Sequence, residues 1–180
     1  LGQQPMAAPE AGSGELGEFL SWVHAIRRMK VKANADTPED AARAVAFGAQ
    51  GVGLVRTEHM FFAPDRITPM RRMILAADDA QRRAALDDLE PLQADDLEGI
   101  FRAVNGAGPV TVRLLDPPLH EFLPQTREQQ ATLARSMGIS ADEIRGTVES
   151  MREANPMTGH RGCRLGITRP AITKMQARAI

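Results

Sequence analysis

Residues 31–56, VKANADTPEDAARAVAFGAQGVGLVR, show the alternation of strand and helix that decides the fold. The first part, VKANA (31–35), predicts a strand, and the helix after it should begin with Thr37 as N-cap and end with Gly48 as C-cap. GVGLVR (51–56) is rich in small and β-branched residues, which is typical of a strand buried on both faces. This order predicts two parallel strands joined by a right-handed crossover.

The remainder of the chain repeats this alternation with longer helical spacers. Helical periodicity predicts two helices after the second strand, in residues 69–89 and 96–104, and a third strand follows in residues 109–116. A loop with a short fourth strand is expected in residues 155–166, and a final helix in residues 169–180. The pattern is typical of an α/β fold with a parallel sheet, although periodicity does not tell an open sheet from a closed one.

Two further helices are indicated by capping boxes, in which a hydroxyl side chain and a Glu or Gln three residues later exchange hydrogen bonds with the backbone. The motifs are TREQ (126–129) and SADE (140–143). The helices that follow them should end near Gly138 and near Glu153, respectively.

Composition excludes several classes of function. The net charge of −1 gives no electrostatic basis for binding nucleic acid or an anionic membrane, and the absence of tyrosine leaves few aromatic rings for stacking on single strands. The only cysteine, Cys163, rules out an internal disulfide and makes a structural zinc site improbable. With no membrane span or signal peptide in the sequence, a cytoplasmic protein is expected.

The chain is expected to contain a lead segment and one main domain. Residues 1–30 read as a linker, rich in Gly, Pro, Ala and Ser over its first 15 residues, followed by a short helix in residues 18–29. Residues 31–180 should form the domain. Because the last predicted helix runs to Ile180 without a capping residue, we expect the domain to extend further.

Three arginines are the strongest candidates for binding. Arg56 ends the second predicted strand, Arg113 lies late in the third, and Arg161 lies in the fourth. Parallel strands present their carboxyl ends at one edge of a sheet, where ligands bind, and the guanidinium group meets phosphate or carboxylate oxygens two at a time. The sequence therefore predicts a pocket for a small anion. The alternative is that each arginine pairs with a surface carboxylate.

The third strand should place Arg113 inside a barrel or cleft. Side chains alternate along a strand, so Val110, Val112 and Leu114 should share the face that meets the helices, and Arg113 should lie on the other face with Leu115.

Other polar residues allow two interpretations each. Asp116, His120 and Glu121 could bind a metal or transfer protons, or could belong to a proline-stiffened loop whose polar groups cap helices or pair with arginines. Glu58, which His59 follows, could be a general base, or an ion-pair partner that orients the arginines. Cys163, between two arginines, could be a reactive thiol, or more commonly a small buried side chain in a strand.

Several longer motifs occur in order along the chain. They are ANADTPEDA (33–41), GLVRTEHMFF (53–62), TVRLLDPPLHEF (111–122), NPMTGHRGCRLG (155–166) and KMQARAI (174–180). With these motifs, residues 31–180 resemble the phosphoenolpyruvate (PEP)-binding domain of the pyruvate, phosphate dikinase family, a branch of the PEP-utilising enzymes. LLDPPLHEF favours the dikinase over PEP synthase and over enzyme I of the sugar phosphotransferase system.

The resemblance implies a fold and a set of site residues. The fold would be a partial (β/α)8 TIM barrel, the N-terminal half of a PEP- or pyruvate-binding domain, with about four strand–helix units and extra helices after strand two. Arg56 and Arg113 would be catalytic arginines that hold the phosphoryl group, and Arg161 would be a further substrate-binding arginine. The cofactor would be Mg²⁺. Its ligands and the catalytic cysteine are expected in the second half, so no metal ligand is assigned here and Cys163 is not that acid.

The parent enzyme would interconvert ATP, phosphate and pyruvate with AMP, diphosphate and PEP through a phosphohistidine carried by another domain of the same chain. Residues 1–180 alone would be inactive. Two alternatives remain, a PEP synthase-type enzyme and a non-catalytic anion-binding or regulatory module. Since half a barrel exposes strand edges, we also expect a homodimer.

Overall fold

A computed structural model describes residues 12–152 and 155–180. The chain divides into two compact units, the first formed by Leu1–Val55 with Gly99–Thr111 and the second by Arg56–Glu98 with Val112–Ile180. The part of the predicted linker before residue 12 lies outside the described residues.

The first unit contains a small sheet built as the opening stretch predicts. Its strands are arranged in the order β1–β2–β3, and β1 and β2 run parallel with Ala33 opposite Val52. The predicted lead-in helix is also present, and it begins four residues earlier than predicted. Among the described residues, five elements begin in the first unit. They are α1 (Gly14–Ile26), β1 (Ala33–Asn34), α2 (Pro38–Ala46), β2 (Val52–Arg56) and β3 (Val110–Arg113).

Helix α2 begins as its sequence predicts and ends one residue earlier. The Thr37 hydroxyl accepts a hydrogen bond from the amide of Asp40, at 3.1 Å. Phe47, rather than Gly48, is the C-cap, and Gly48 follows it with φ of +85°. The glycine is therefore the residue that leaves the helix in the left-handed conformation, which side chains disfavour.

The second unit is mostly helical. The prediction of helices over 69–89 and 96–104 is wrong in its boundaries, because one helix ends at Leu75 and another begins at Asp79. The Asp78 carboxylate accepts a hydrogen bond from the Gln81 amide at 2.8 Å, so it caps the new helix where the periodicity alone indicated continuation. The helices up to this point are α3 (Thr57–Met60), α4 (Pro64–Leu75) and α5 (Asp79–Val104), the last of which runs on into the first unit's segment.

Both predicted capping motifs begin helices, α6 (Arg127–Met137) and α7 (Ala141–Met151). The SADE motif forms a complete capping box, whereas in TREQ only the Thr126 hydroxyl bond to the Gln129 amide is present. Helix α6 ends at Gly138 in the left-handed conformation, as predicted. Helix α7 ends at Met151, and Glu153 lies outside the described residues.

The predicted fourth strand is wrong. Residues 155–180, all of which the structure describes, contain a 3-10 turn at Pro156–Thr158, then α8 (Cys163–Thr168) and α9 (Pro170–Ala179). The Asn155 side chain accepts a hydrogen bond from the Met157 amide at 3.0 Å, which favours a turn at the place where a strand was expected.

The hydrophobic core of the second unit lies between its helices. Phe61 and Phe122 meet edge to face with centroids 6.5 Å apart, and Phe62 stacks on Phe122 at 4.8 Å. Phe61 and Phe122 belong to one hydrophobic cluster with fully buried side chains from α4, α5, α7 and α9, among them Met73, Leu89, Ile144 and Met175. The protein is thus of mixed α/β class, mostly helical with a small parallel sheet.

The ion pair between Glu90 and Arg178 predicts a pH dependence of stability. Hydrogen bonds from the Arg178 side chain, at 2.6 to 3.1 Å, and its positive charge hold the pKa of Glu90 below its ordinary value. A lowered pKa in the folded state stabilises the fold above the pKa of the unfolded chain, about 4.3, and the stabilisation is lost as the pH falls through the folded pKa. The difference in unfolding free energy between the wild type and Arg178→Gln should therefore shrink between pH 6 and pH 3.

Urea denaturation at several pH values measures this difference. Arg135→Gln is a matched control, because the Arg135 guanidinium group donates to Ala131 O and Thr132 Oγ1 of its own helix and pairs with no carboxylate in the described part of the chain. The control should show a constant difference. A constant difference for Arg178→Gln would contradict the role of the Glu90 carboxylate.

Candidate functional site

Arg113 is bonded to a buried carboxylate in the second unit. It is the last residue of β3, and its Nη2 donates to Oε1 of Glu58, which lies in α3 directly after β2. Glu58 is only 5% exposed. Because an ionised carboxylate is costly to bury without a partner, the guanidinium group of Arg113 is required at this position by the local electrostatics.

Asp116 joins Arg113 to Arg161. Its Oδ2 lies 3.6 Å from Arg113 Nη1 and 2.6 Å from Arg161 Nη2, and its backbone carbonyl accepts from Arg161 Nε at 3.2 Å. Arg161 thus binds both the side chain and the backbone carbonyl of Asp116. The result is a continuous chain of alternating charge, Glu58, Arg113, Asp116 and Arg161, which we call the charge chain.

Gly162 allows the close approach of Asp116. Its φ is +54°, and a Cβ atom at this position would lie 3.2 Å from Asp116 Oδ1. The amide of Gly162 also donates to the Asp116 carbonyl at 3.2 Å. A side chain here would both strain the backbone and crowd the carboxylate. The glycine in the HRGC motif is therefore needed for the charge chain.

Arg56 and Arg113 lie at strand ends as predicted, but Arg161 does not. Arg56 is the last residue of β2, half-buried, and precedes the first turn of α3. Arg161 lies in the loop before α8, since no fourth strand forms. The structure thus brings Arg113 and Arg161 together through Asp116, and it places Arg56 two residues before Glu58 in the chain.

The predicted alternation along the third strand fails beyond Arg113. Leu114 is 38% exposed and Leu115 is 5% exposed, the reverse of the prediction. The reason is that β3 ends at Arg113, so the strict side-to-side alternation of a strand does not extend to the next two residues. Leu115 is part of the hydrophobic core instead.

The structure distinguishes between the two interpretations for several of the other polar candidates. Glu58 is the ion-pair partner of Arg113, and Asp116 pairs with arginines. Cys163 is exposed and is the first residue of α8, so its interpretation as a buried strand residue is wrong. His120 and Glu121 lie in a 3-10 turn, Leu119–Phe122, and Glu121 is exposed.

Within the described residues no three His, Cys, Asp or Glu side chains gather to hold a metal ion. Asp116 is already bonded to two guanidinium groups, and Glu58 is paired with Arg113. These residues therefore do not fit a magnesium site by themselves, and the location of the expected Mg²⁺ ligands outside this chain stays a prediction.

Two buried polar residues beside the charge chain were missed by the sequence reasoning. Thr57 is 0% exposed and Gln176 is 1% exposed, and they are bonded to each other. A signal for Gln176 is present in the sequence. It lies four residues after Ile172 and three before Ala179, on the apolar face of α9, where a glutamine is buried only if its amide is bonded.

A cavity of about 540 Å³ lies beside the charge chain. Arg113, Asp116 and Gln176 supply its polar wall. The apolar wall is formed by Leu114, Leu115, Leu165 and Ile172, with Cys163, Gly162, Gly166 and Thr173 completing the lining. A concave site with an apolar wall and a few converging polar groups is the usual form of a small-molecule site.

Comparison with known proteins gives the family. The family described as "PEP-utilising enzyme, PEP-binding domain" matches residues 10–180. The chain belongs to this family. The matched residues include every residue of the charge chain and of the cavity lining.

Relatives of this chain are similar to it over its whole length. It is 57% identical over 182 residues to pyruvate, phosphate dikinase 1, chloroplastic, of Arabidopsis thaliana, covering 100% of this chain and 19% of that protein. It is 55% identical over 179 residues to pyruvate, phosphate dikinase of Rhizobium meliloti, covering 99% and 20%, respectively. The chain spans about a fifth of the length of the curated relatives it matches.

Among its described residues, the chain has no helix with both the length and the apolar character to cross a bilayer. The Arabidopsis relative is named as chloroplastic and the Rhizobium relative is not. The cytoplasmic location expected from the sequence stays a prediction.

Removing the carboxylate that joins the two arginines should destabilise the fold. In Asp116→Asn, Arg161 loses its charged partner, and we expect the unfolding free energy to fall by about 1 to 2 kcal/mol, since Asp116 and Arg161 are partly exposed and solvent weakens the pair. Asp142→Asn, which removes an exposed carboxylate paired with Arg145 on α7, should change it by at most about 0.5 kcal/mol. Urea denaturation compares the two variants, and equal effects would contradict the structural role of Asp116.

Proposed function

We propose that this chain is the N-terminal half of a PEP- or pyruvate-binding TIM barrel domain, residues 31–180 following a linker and lead-in helix in residues 1–30. The parent enzyme interconverts ATP, phosphate and pyruvate with AMP, diphosphate and PEP through a phosphohistidine. In this proposal Arg56, Arg113 and Arg161 bind the phosphoryl group of PEP. The family match and the names of the relatives support the reaction class.

The observation that carries the assignment of the arginines is the convergence of Arg113 and Arg161 on one carboxylate oxygen, Asp116 Oδ2. Two guanidinium groups that share one oxygen lie close enough to contact one phosphoryl group. Arg113 lines the cavity, and Arg161 immediately precedes Gly162, which is part of the lining. Arg56 adds a third positive charge from the end of β2.

The charge chain leaves donors for a ligand. A guanidinium group has five N–H donors. Nη2 of Arg113 donates to Glu58, its Nη1 lies 3.6 Å from Asp116 Oδ2, and the side chain as a whole is 38% exposed. Glu58 and Asp116 therefore fix the group without using all of its hydrogen-bonding capacity.

Arginines in this arrangement suit phosphoryl transfer. As the phosphoryl group moves between the enolpyruvate oxygen and a histidine of another domain, its charge is spread over three oxygens, and preorganised guanidinium groups stabilise that distribution. Mg²⁺ would add positive charge to the same substrate. Holding the phosphoryl oxygens is the part of the reaction that this chain performs.

Substitution of Arg113 tests the proposal in the complete product of the gene that carries this sequence. Arg113→Ala should raise the dissociation constant for PEP about tenfold to a hundredfold, because charge-assisted hydrogen bonds to the phosphoryl group are lost. The dissociation constant for pyruvate should change little, since pyruvate has no phosphoryl group. Titration calorimetry with both ligands gives the comparison.

Two further variants make the measurement decisive. Arg113→Lys keeps the positive charge that Glu58 requires but loses the two-pronged donor geometry, so it should fold and still weaken PEP binding. Arg145→Ala removes an exposed arginine on α7, outside the cavity lining, and should bind PEP as the wild type does. If Arg113→Lys and Arg113→Ala both bind PEP normally, the arginines are structural ion pairs, which favours the non-catalytic module.

A requirement for inorganic phosphate separates the dikinase from a PEP synthase-type enzyme. The relatives are named as pyruvate, phosphate dikinases, so we expect PEP formation from ATP and pyruvate to require inorganic phosphate and to release diphosphate. Phosphorus NMR of the reaction, with and without added phosphate, measures both. Formation of PEP without added phosphate would instead indicate the synthase.

The expected homodimer is a separate prediction, which light scattering tests.

A further inference from the structure

Gln176 closes a ring of hydrogen bonds behind Arg113. Its Nε2 donates to Thr57 Oγ1 at 3.0 Å, and the Thr57 hydroxyl donates to the carbonyl of Arg113 at 2.8 Å. Its Oε1 accepts from the amide of Leu115 at 2.8 Å. The orientation of the glutamine amide follows from this last bond, because a backbone N–H can only donate. The ring therefore links α9 to the residues that follow β2 and β3.

The ring satisfies backbone groups that the sheet leaves without partners. Strand β3 ends at Arg113, so the amide of Leu115 lies beyond the ladder and is buried. Without Gln176 this amide would lack an acceptor, which is costly in a buried position. Gln176 and Thr57 are themselves almost fully buried, so water does not easily replace either of them.

The same ring constrains the two partners of the guanidinium ion pair. The Thr57 hydroxyl fixes the backbone of Arg113, from which the guanidinium group extends. Thr57 also immediately precedes Glu58, whose carboxylate binds that guanidinium group. A displacement of Thr57 would therefore move both the origin of the Arg113 side chain and the carboxylate that orients its tip.

We infer that Gln176 is a positioning residue for Arg113, acting through Thr57 and the Leu115 amide to set the direction of the guanidinium group toward the cavity. The inference rests on the proposed function for its consequence in PEP binding. Its structural half, the control of Arg113 by Gln176, is independent of that function.

The structural half is tested by NMR on the complete gene product without ligand. The Nε–H signal of Arg113 is assigned by its disappearance in Arg113→Lys. Gln176→Met keeps the length and burial of the side chain but removes its hydrogen bonds, and it should shift or broaden this signal. Thr57→Val, which removes the hydroxyl, should also shift or broaden the signal. Thr57→Ser, which keeps the hydroxyl, should leave the signal as in the wild type.

Gln130→Met is the matched control. Gln130 is also a buried glutamine, and its Nε2 donates to the Pro124 carbonyl at 3.0 Å, outside the cavity lining. The control loses a buried side-chain hydrogen bond as Gln176→Met does, so a general loss of stability would affect both variants. Only Gln176→Met should change the Arg113 signal. An unchanged Arg113 signal in Gln176→Met would overturn the inference, whatever the protein binds.

A double-mutant cycle on PEP affinity tests the consequence in the complete gene product. Gln176→Met should raise the dissociation constant about fivefold to tenfold in the wild-type background and less than about twofold in the Arg113→Ala background, because the two residues act as one unit. An equal effect in both backgrounds would show that Gln176 acts independently of Arg113, and it would overturn the inference. If Arg113→Ala leaves PEP affinity unchanged, the proposed function fails, and the NMR experiment still decides the positioning role.

Discussion

The buried carboxylate of Glu58 is the constraint on which the site depends. A charge that is almost completely removed from water needs an opposite charge at hydrogen-bond distance, and Arg113 is the residue that supplies it. Arg113 in turn lies between Glu58 and Asp116, and Asp116 holds Arg161 by both its side chain and its carbonyl. Segments separated by more than 100 residues in sequence are thereby fixed by one set of alternating charges.

The charge chain is supported by uncharged contacts that are equally specific. Gly162 leaves room for the Asp116 carboxylate, and the Gln176 side chain completes the hydrogen bonding at the end of β3. Gln176 comes from α9, which the sequence predicted, and Gly162 from the loop before α8, where the sequence predicted a strand. The region that departs most from the expected fold thus supplies the glycine that leaves room for Asp116.

Local chemistry made much of the fold predictable. Thr37 and Ser140 begin their helices as capping residues, Gly138 ends α6, and the parallel pair of β1 and β2 follows from the composition of residues 31–56. The break at Asp78 and the turn at Asn155 were missed because in each case one side chain bonds the backbone against the periodicity around it. Gln176 was missed because its partners lie 61 and 119 residues away.

The arginines could be predicted as a group, but their partners could not. Periodicity places Arg56 and Arg113 at strand ends, but it does not tell which carboxylates pair with them. The pairing of Arg113 with Glu58 and Asp116 is a contact that only the folded chain creates. Arg161 was assigned to the same edge through a strand that does not form, and it reaches Arg113 through Asp116 instead. Its place in the site is therefore set by a side-chain contact rather than by the sheet.

Ion pairing and anion binding are compatible roles for these arginines. A free arginine on a surface loses side-chain entropy when it binds a ligand, and this loss weakens binding. Arg113 has already been ordered by Glu58 and by the ring through Thr57, while its side chain stays 38% exposed. The carboxylates reduce the net positive charge that an anion meets, but they hold the remaining donors in one geometry. In the proposed function, selectivity for a tetrahedral group with several oxygens would follow from that fixed geometry more than from the amount of charge.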